Sequence, residues 1–348
     1  MLQAAQLALA DPGSPQLLPT DTTGTAQGAA AAARTAINAG AGLIIGPLTA
    51  PETFAVASVA AASTVPVVAF TNDSSVGRPG VWALGISPAE QARRLVFYAQ
   101  LQGRSRVAAL LPDNPFGRAL AQGLTQAAAE HGLAAPDIQF YGQGMQAITA
   151  SAREVSAYDR RYGPIEQQIK EAKMQGTSAG RAEAAAASRS AVPPPPFDAL
   201  ILAGTGDALA EVVSVLKYDF VNAPAVQFMG PDLWASPASG SSQLPGAWFA
   251  APDPAARDSF VQAYTAKYGA TPPGAADLAY DAASVARALA PRGFGTDALT
   301  TQDGFSGVDG WFRLLPDGRV QRALAVFAVQ SGGPQMVAPP PPPASSEV

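Results

Sequence analysis

The sequence predicts an α/β fold of parallel sheets flanked by helices. Three observations carry that prediction. Short, uniformly apolar runs alternate with helix-length, Ala-rich stretches. Several of the runs end in a loop of Gly, Pro, Asn or Asp. Finally, the clearest pair of runs is separated by a single helical stretch, the arrangement that joins parallel neighbours.

That pair lies between Gly42 and Ser75. Leu43-Ile44-Ile45 is a strand closed by Gly46-Pro47, and Val65 to Phe70 is a second, closed by Thr71-Asn72-Asp73-Ser74-Ser75. Thr53 to Ala62 joins them, with Phe54, Val56 and Val59 at helical spacing. Strands this evenly apolar are buried on both faces. In open parallel sheets ligands sit in the loops beyond the carboxyl ends of the strands, here GPLTAPE and TNDSS.

Upstream, residues 2–10 form a helix ended by Asp11-Pro12-Gly13, Gln16-Leu17-Leu18 reads as a short strand, and Ala26 to Asn38 as a helix. An α/β lobe of this kind ordinarily begins with a strand; here the first element is a helix, and its partner strand is expected upstream of this numbering. Downstream come a strand at Val81–Leu84, a helix opened by Pro88, a buried strand at Val107–Leu111, a further helix to His131, and a strand at Ile138–Tyr141.

Residues 145–197 break the rhythm. Ile148, Val155, Tyr158, Tyr162, Ile165 and Ile169 form an apolar seam on a charged helix. Gly163-Pro164 should break or kink it. The low-complexity stretch beyond Gly176 ends in Pro193 to Pro196 and predicts a mobile return. Two readings stand: a projecting helical arm, or a helix packed on its own lobe. The rhythm then resumes with strands at Phe197–Ala203, Ala225–Met229 and Ala247–Ala250 and helices at Ala208–Lys217, Phe260–Tyr268 and Asp277–Leu289. Trp311–Leu315 and Ala323–Gln330 frame Pro316-Asp317-Gly318 as a hairpin. Residues 336–348, Pro- and Ser-rich, are expected to be disordered.

Composition narrows the function. With 48% hydrophobic and 14% charged residues the 348-residue chain can bury cores for two lobes. A net charge of −5 and the lack of a basic run argue against nucleic acid. No apolar run reaches the roughly 18 residues of a membrane span. The absence of cysteine removes disulfides, thiol nucleophiles and thiolate metal sites, and one histidine leaves little for metal or base chemistry. Met1 opens directly into a helix rather than a signal peptide, so an export signal would lie upstream of this numbering.

Four strands end in an acid: Asp73, Asp113, Asp207 and Asp232. Each could hold a ligand amino group or simply cap the helix that follows; Asp232 is the strongest candidate for the former. Enzyme signatures fail. Gly204-x-Gly206 has Leu209 where a dinucleotide fingerprint needs its third glycine. Ser214-x-x-Lys217 falls inside an amphipathic helix without the motifs that accompany it in acyl-transfer enzymes. His131 precedes Gly132 at a helix end, where its ring suits the dipole. No catalytic residue, metal site or cofactor is expected.

The order of IIGPLTAPET, STVPVVAFTNDSS, RVAALLPDNPFGRAL, FDALILAGTGDALAEVV and VQFMGPDLW resembles the type I periplasmic binding-protein fold, as in branched-chain amino-acid receptors. The resemblance implies two lobes joined by three crossovers. Lobe 1 would hold residues 1–87 and 231–309, and lobe 2 residues 88–230 and 310–335 with 145–197 inserted. FDALILAG after an insertion containing Tyr158 to Arg161 is more similar to the penicillin-binding-protein activators of alphaproteobacteria. Those are outer-membrane lipoproteins that stimulate a peptidoglycan synthase by contact; this sequence has no lipobox cysteine. The resemblance therefore implies a periplasmic, non-catalytic regulator with a penicillin-binding protein as partner. The alternative is a receptor that delivers an amino-acid-like or amide solute to an importer, binding it in the interlobe cleft. By the same resemblance the ligand-binding positions are Thr49, Ala50, Asp73, Ser74, Phe116, Thr205, Asp207 and Asp232. Asp232 would take the amino group, Ser74 the carboxylate, and Phe116 would cover the ligand. Ala50-Pro51 stands where a serine pair is expected, and no aromatic stands near Gly206.

Overall fold

The computed structural model describes residues 1–342. In chain order, α1 (Leu2–Ala8) and α2 (Ala26–Asn38) precede β1 (Ile44–Ile45), α3 (Ala50–Ala61), β2 (Val67–Ala69) and β3 (Val81–Ala83). Then come α4 (Pro88–Leu101), β4 (Val107–Pro112), α5 (Pro115–Glu130) and β5 (Asp137–Tyr141). The inserted region holds α6 (Met145–Ser156), α7 (Tyr158–Met174) and α8 (Ser178–Ala187). It is followed by β6 (Ala199–Leu202), α9 (Gly206–Tyr218), β7 (Gln227–Gly230) and β8 (Trp248–Ala251). Three helices, α10 (Asp258–Tyr268), α11 (Ala275–Leu289) and α12 (Thr296–Leu299), lead into the closing strands. These are β9 (Phe305–Gly307), β10 (Gly310–Leu314), β11 (Val320–Arg322), β12 (Ala325–Ala328) and β13 (Gln335–Ala338).

The chain divides into two compact units. The first contains Met1–Glu90 and Pro252–Ala325; the second contains Gln91–Ala251 and Val326–Ala338. Besides residues 88–90, which fall in the first unit, two longer segments fall differently from the expected division. Residues 231–251 stay with the second unit because β8 pairs in parallel with β7, Met229 opposite Trp248. Residues 310–325 stay with the first, because β9, β10 and β11 form their own antiparallel sheet there. Trp82, fully buried in β3, fastens that sheet by donating its Nε1–H to the Leu315 carbonyl at 2.7 Å.

In the first unit β1, β2 and β3 form a parallel sheet in that order. The period-2 pleat sends alternate side chains to opposite faces. Val68 and Ile45 meet the cluster built on Ala4, Phe260 and the α11 residues Ala279 and Ala282. Ile44 and Val67 meet Ala29, Ala33, Val56 and Ala57 of α2 and α3. Small alanines on both helix layers let the helices lie close to the sheet. The strand expected at Gln16–Leu18 does not form: residues 14–20 adopt no regular secondary structure and pair with no strand among the described residues.

The second unit is centred on a seven-stranded sheet ordered β13-β12-β8-β7-β6-β4-β5. Its central strands carry Ala108 to Leu111 and Ala199 to Leu202 with almost no exposure, as two-sided burial demands. The expected hairpin partner of β10 is split: β11 closes the turn at Pro316-Asp317-Gly318, and β12 leaves for this larger sheet. Residues 336–338, expected to be disordered, belong with Gln335 to β13, which pairs antiparallel with β12. The rest of the expected tail from Pro343 lies outside the described residues.

The inserted region corrects two expectations. α6 packs on its own unit through Ile148, Ala152 and Val155. The bend falls not at Gly163-Pro164 but at Ala157, whose φ of 53° ends α6 and starts α7. Pro164 removes one intrahelical donor from an exposed position, and α7 runs through it. The return is helical too: α8 seats its small residues on α7, where a Cβ on Gly180 would meet the Ala172 carbonyl oxygen. Arg161 locks the base of this hairpin. Its guanidinium donates to the carbonyls of Pro193 (2.7 Å), Ser156, Asp219 and Phe220 (each 3.1 Å).

Candidate functional site

Parallel pairing puts the carboxyl ends of neighbouring strands on one sheet edge, and there the two units gather the expected residues in separate sets. In the first unit the loops after β1 and β2 are tied together by the Phe70 N–H, which donates to the Pro47 carbonyl at 2.8 Å. Thr49 and Ala50 open α3 at the end of one loop; Asp73 and Ser74 lie on the other.

Thr49 is already engaged. It is the N-cap of α3, and its hydroxyl donates to Glu52 Oε2 at 2.6 Å while accepting the Glu52 N–H at 3.4 Å. The spacing Thr49-x-x-Glu52 is a capping box. Thr22 donates to the other oxygen of Glu52 at 2.6 Å. Burial pushes the Glu52 carboxyl up, but the hydrogen bonds from Thr22, from the Thr49 hydroxyl and from the Thr49 main chain outweigh it and hold the group below its ordinary value. Thr49 thus has no hydroxyl proton left for a ligand carboxylate. Asp73 caps the short 3-10 turn Ser74–Val76 by accepting the Ser75 N–H at 2.9 Å, the role its position allowed. Ser74 is exposed.

In the second unit β4, β6 and β7 are consecutive parallel neighbours, so Phe116, Thr205, Asp207 and Asp232 share one edge. Asn114, not Asp113, caps α5 by accepting the Gly117 N–H; Asp113 pairs with Arg118 at 2.5 Å instead. Phe116 is half-buried in the first turn of that helix. Thr205 is the N-cap of α9 without a side-chain cap bond, and Asp207 is exposed in its first turn. There the carboxylate complements the helix dipole.

Asp232 is half-buried and begins a 3-10 turn that it does not cap. Its backbone N–H donates to Gln91 Oε1 at 2.9 Å, and Gln91 is buried in α4. Trp234 braces the same loop from beneath. Its indole N–H donates to the Gly204 carbonyl at 3.0 Å, joining the loops after β6 and β7. Its ring fills the space that a Cβ on Gly230 would need, so glycine is required there.

Glu52, Gln91 and Trp234 were not among the expected site residues. The capping-box spacing could have found Glu52. Nothing local marks Gln91, and Trp234 carried a readable signal only as part of VQFMGPDLW. Among the described residues, no group of three His, Cys, Asp or Glu side chains could hold a metal ion. Nor is any helix among them long and apolar enough to cross a membrane.

The profile of one family, described as periplasmic binding protein, matches residues 2–334. The chain belongs to that family. Solved structures agree in fold. A protein from Rhodospirillum rubrum described as a branched-chain amino acid ABC transporter superposes with a TM-score of 0.70 at 20% identity, covering 97% of this chain and 94% of that one. A Burkholderia xenovorans branched-chain amino acid ABC transporter periplasmic ligand-binding protein gives 0.67 at 15% identity, covering 98% and 90%. An ABC transporter substrate-binding protein from Desulfitobacterium hafniense in complex with Leu gives 0.63 at 18% identity, covering 97% and 95%. No curated protein matches the chain. Identities this low speak for the two-lobed α/β architecture of mostly parallel sheets flanked by helices, and for nothing finer.

Proposed function

We propose that this chain is a non-catalytic receptor that binds an amino-acid-like solute for an importer. The observation that carries the reading is Asp232. It is an acid beyond a central parallel strand, and its backbone N–H is held by the buried Gln91. A carboxylate fixed by its backbone is suited to an ammonium group, where a charge-assisted hydrogen bond is strong. The D. hafniense relative bound to Leu supports a ligand of that class. The carboxylate partner is less conventional. With the Thr49 proton committed to Glu52, Ser74 and Thr205 remain as hydroxyl candidates.

A thermal-shift screen against Leu, Ile, Val, their amides, short peptides and cell-wall fragments tests this. A ligand at 100 times its Kd stabilises by about 2.7 kcal/mol. The expected result is a shift with an amino acid that Asp232→Asn abolishes. A panel without any shift sinks the receptor reading.

One observation favours a second reading, a regulator that activates a peptidoglycan synthase by contact. The α7–α8 hairpin and the end of α9 expose Met174 (78%) and Tyr218 (71%), large apolar groups that a protein partner could cover. Removing the hairpin should then abolish synthase stimulation while solute binding, if any, survives. Unchanged stimulation would eliminate this reading.

A further inference from the structure

Two non-glycine residues take left-handed backbone at the root of the α7–α8 hairpin. They are Ala157, between α6 and α7, and Phe220, just beyond α9, with φ of 53° and 58°. Such conformations persist where the surroundings over-determine them, and they concentrate at switch regions. Asp219, the C-cap of α9 and the neighbour of Phe220 in the chain, is fully buried. Neither oxygen of its carboxyl has a hydrogen-bond partner among the described residues. Buried polar groups are almost always paired, so this exception calls for an explanation. Arg161 does not supply one. Its guanidinium bonds to main-chain carbonyls, that of Asp219 included, and not to the carboxyl.

A second unpaired group belongs to Arg153 on α6, whose Nε–H is buried without a partner. The rest of that guanidinium faces α7. Its Cζ lies 4.5 Å from the centre of the Tyr158 ring, and Nη2 lies 3.6 Å from Asp159 Oδ1. Burial dominates at Asp219 and lifts its carboxyl to about 6. Arg153 on α6 and Arg161 on α7 pull against that rise, Arg153 the more strongly, and Asp159 on α7 adds to it. Tyr158 contributes no charge, because burial raises its hydroxyl above the ordinary 10. The unpaired arrangement is therefore fully favoured below 3.8 and loses favour as pH rises through about 6. An ionised carboxylate in that place demands a donor, and a charged donor gives the strongest bond. The Arg153 Nε–H is unspent.

We propose that Asp219 and Arg153 form a proton-operated latch at the root of the hairpin. With Asp219 neutral, Arg153 braces Tyr158 and Asp159 on α7. With Asp219 ionised, Arg153 turns inward to the carboxylate, and α7 loses that brace. Pairing stabilises the anion, so the transition falls at or below about pH 6. The latch is separate from the strand-end loops, and its fate does not depend on either functional reading.

The test follows both ends of the latch in the full chain, from about pH 4 to about pH 8. Carboxyl-carbon NMR reads Asp219. Fluorine NMR of the fluorotyrosine-labelled chain reads Tyr158, whose signal is assigned by its loss in Tyr158→Phe. Both should move with one shared midpoint. Amide exchange in the first turn of α7, corrected for its intrinsic pH dependence, should quicken at least about threefold across that midpoint. Asp219→Asn should hold the Tyr158 signal at its low-pH position throughout. Arg153→Met should raise the Asp219 midpoint and silence the Tyr158 response. Where a variant does not fold, the shared midpoint in the parent decides alone. An Asp219 midpoint at the ordinary 3.8 with a static Tyr158 signal overturns the proposal. So does an Asp219 that titrates at about 6 while Tyr158 stays put, which would make a buried water the donor. A Tyr158 response that survives Asp219→Asn equally overturns it.

Discussion

Gln91 accepts the backbone N–H of Asp232 at 2.9 Å while itself only 1% exposed. The bond joins a helix near the start of the second unit to the loop after β7, over a sequence separation of 141 residues. Gln91→Leu keeps the approximate volume and deletes the acceptor. Stability should fall by about 1–3 kcal/mol, the cost of a buried donor left unsatisfied. Urea unfolding checks the loss. If Asp232 binds an ammonium group, titration should also show weaker binding than stability alone explains.

Glu52 joins Thr22 to the start of α3, so removing it should loosen two elements at once. Glu52→Ala should cost about 1–3 kcal/mol. Its folded pKa lies below the ordinary 4.5, so its contribution is complete above that value and is lost as pH falls through the folded pKa. Urea midpoints recorded from about pH 6 down to about pH 3 should show the gap between parent and variant narrowing as pH falls, whatever other groups do to both.

Asp281 behaves in the opposite sense. It is buried on α11, accepts the Val308 N–H at 2.6 Å through Oδ1, and has no hydrogen-bond partner at Oδ2. Burial pushes its carboxyl up to about 7, against the pull of the Val308 hydrogen bond and Arg322, with Asp309 adding repulsion. The native state therefore keeps a proton that the unfolded chain releases from about 3.8 upward. That contribution is whole below 3.8 and disappears as pH rises to about 7; a difference of three pH units is on the order of 4 kcal/mol. Asp281→Asn should flatten the decline between these values. An unchanged slope in denaturation curves would show that Asp281 is not its source.

Arg161 serves four carbonyl groups drawn from three separate stretches of chain. Arg161→Met preserves the stem and leaves those oxygens without their donor. A loss of at least about 3 kcal/mol is expected, along with faster proteolysis between Gly176 and Ser190. Equal cleavage rates in parent and variant would refute the role of Arg161 as the lock of the hairpin.

Much of the fold was legible because buried parallel strands leave a simple record. Val107–Leu111 and Phe197–Ala203 are apolar without interruption, and glycine or proline ends most such runs. The candidate site was less legible. Thr49 and Ser74 carry the same kind of hydroxyl, yet one proton is committed to Glu52 and the other group is exposed. That difference depends on Thr22 and Thr49 converging on one carboxylate. Asp73 and Asp113 likewise both precede helical turns, but Asn114 took the cap that composition had offered to Asp113.

Sequence alone determined the alternation of strand and helix, the positions of the strand-end loops and the place of the insertion, because each follows from local periodicity and turn chemistry. Tertiary structure decided which side chains remain available. It set the bend at Ala157 rather than Pro164, carried β12 away from the β10–β11 hairpin, and placed Gln91 under Asp232. Those outcomes turn on hydrogen-bond partners distant in sequence, and local pattern carries no information about who they are.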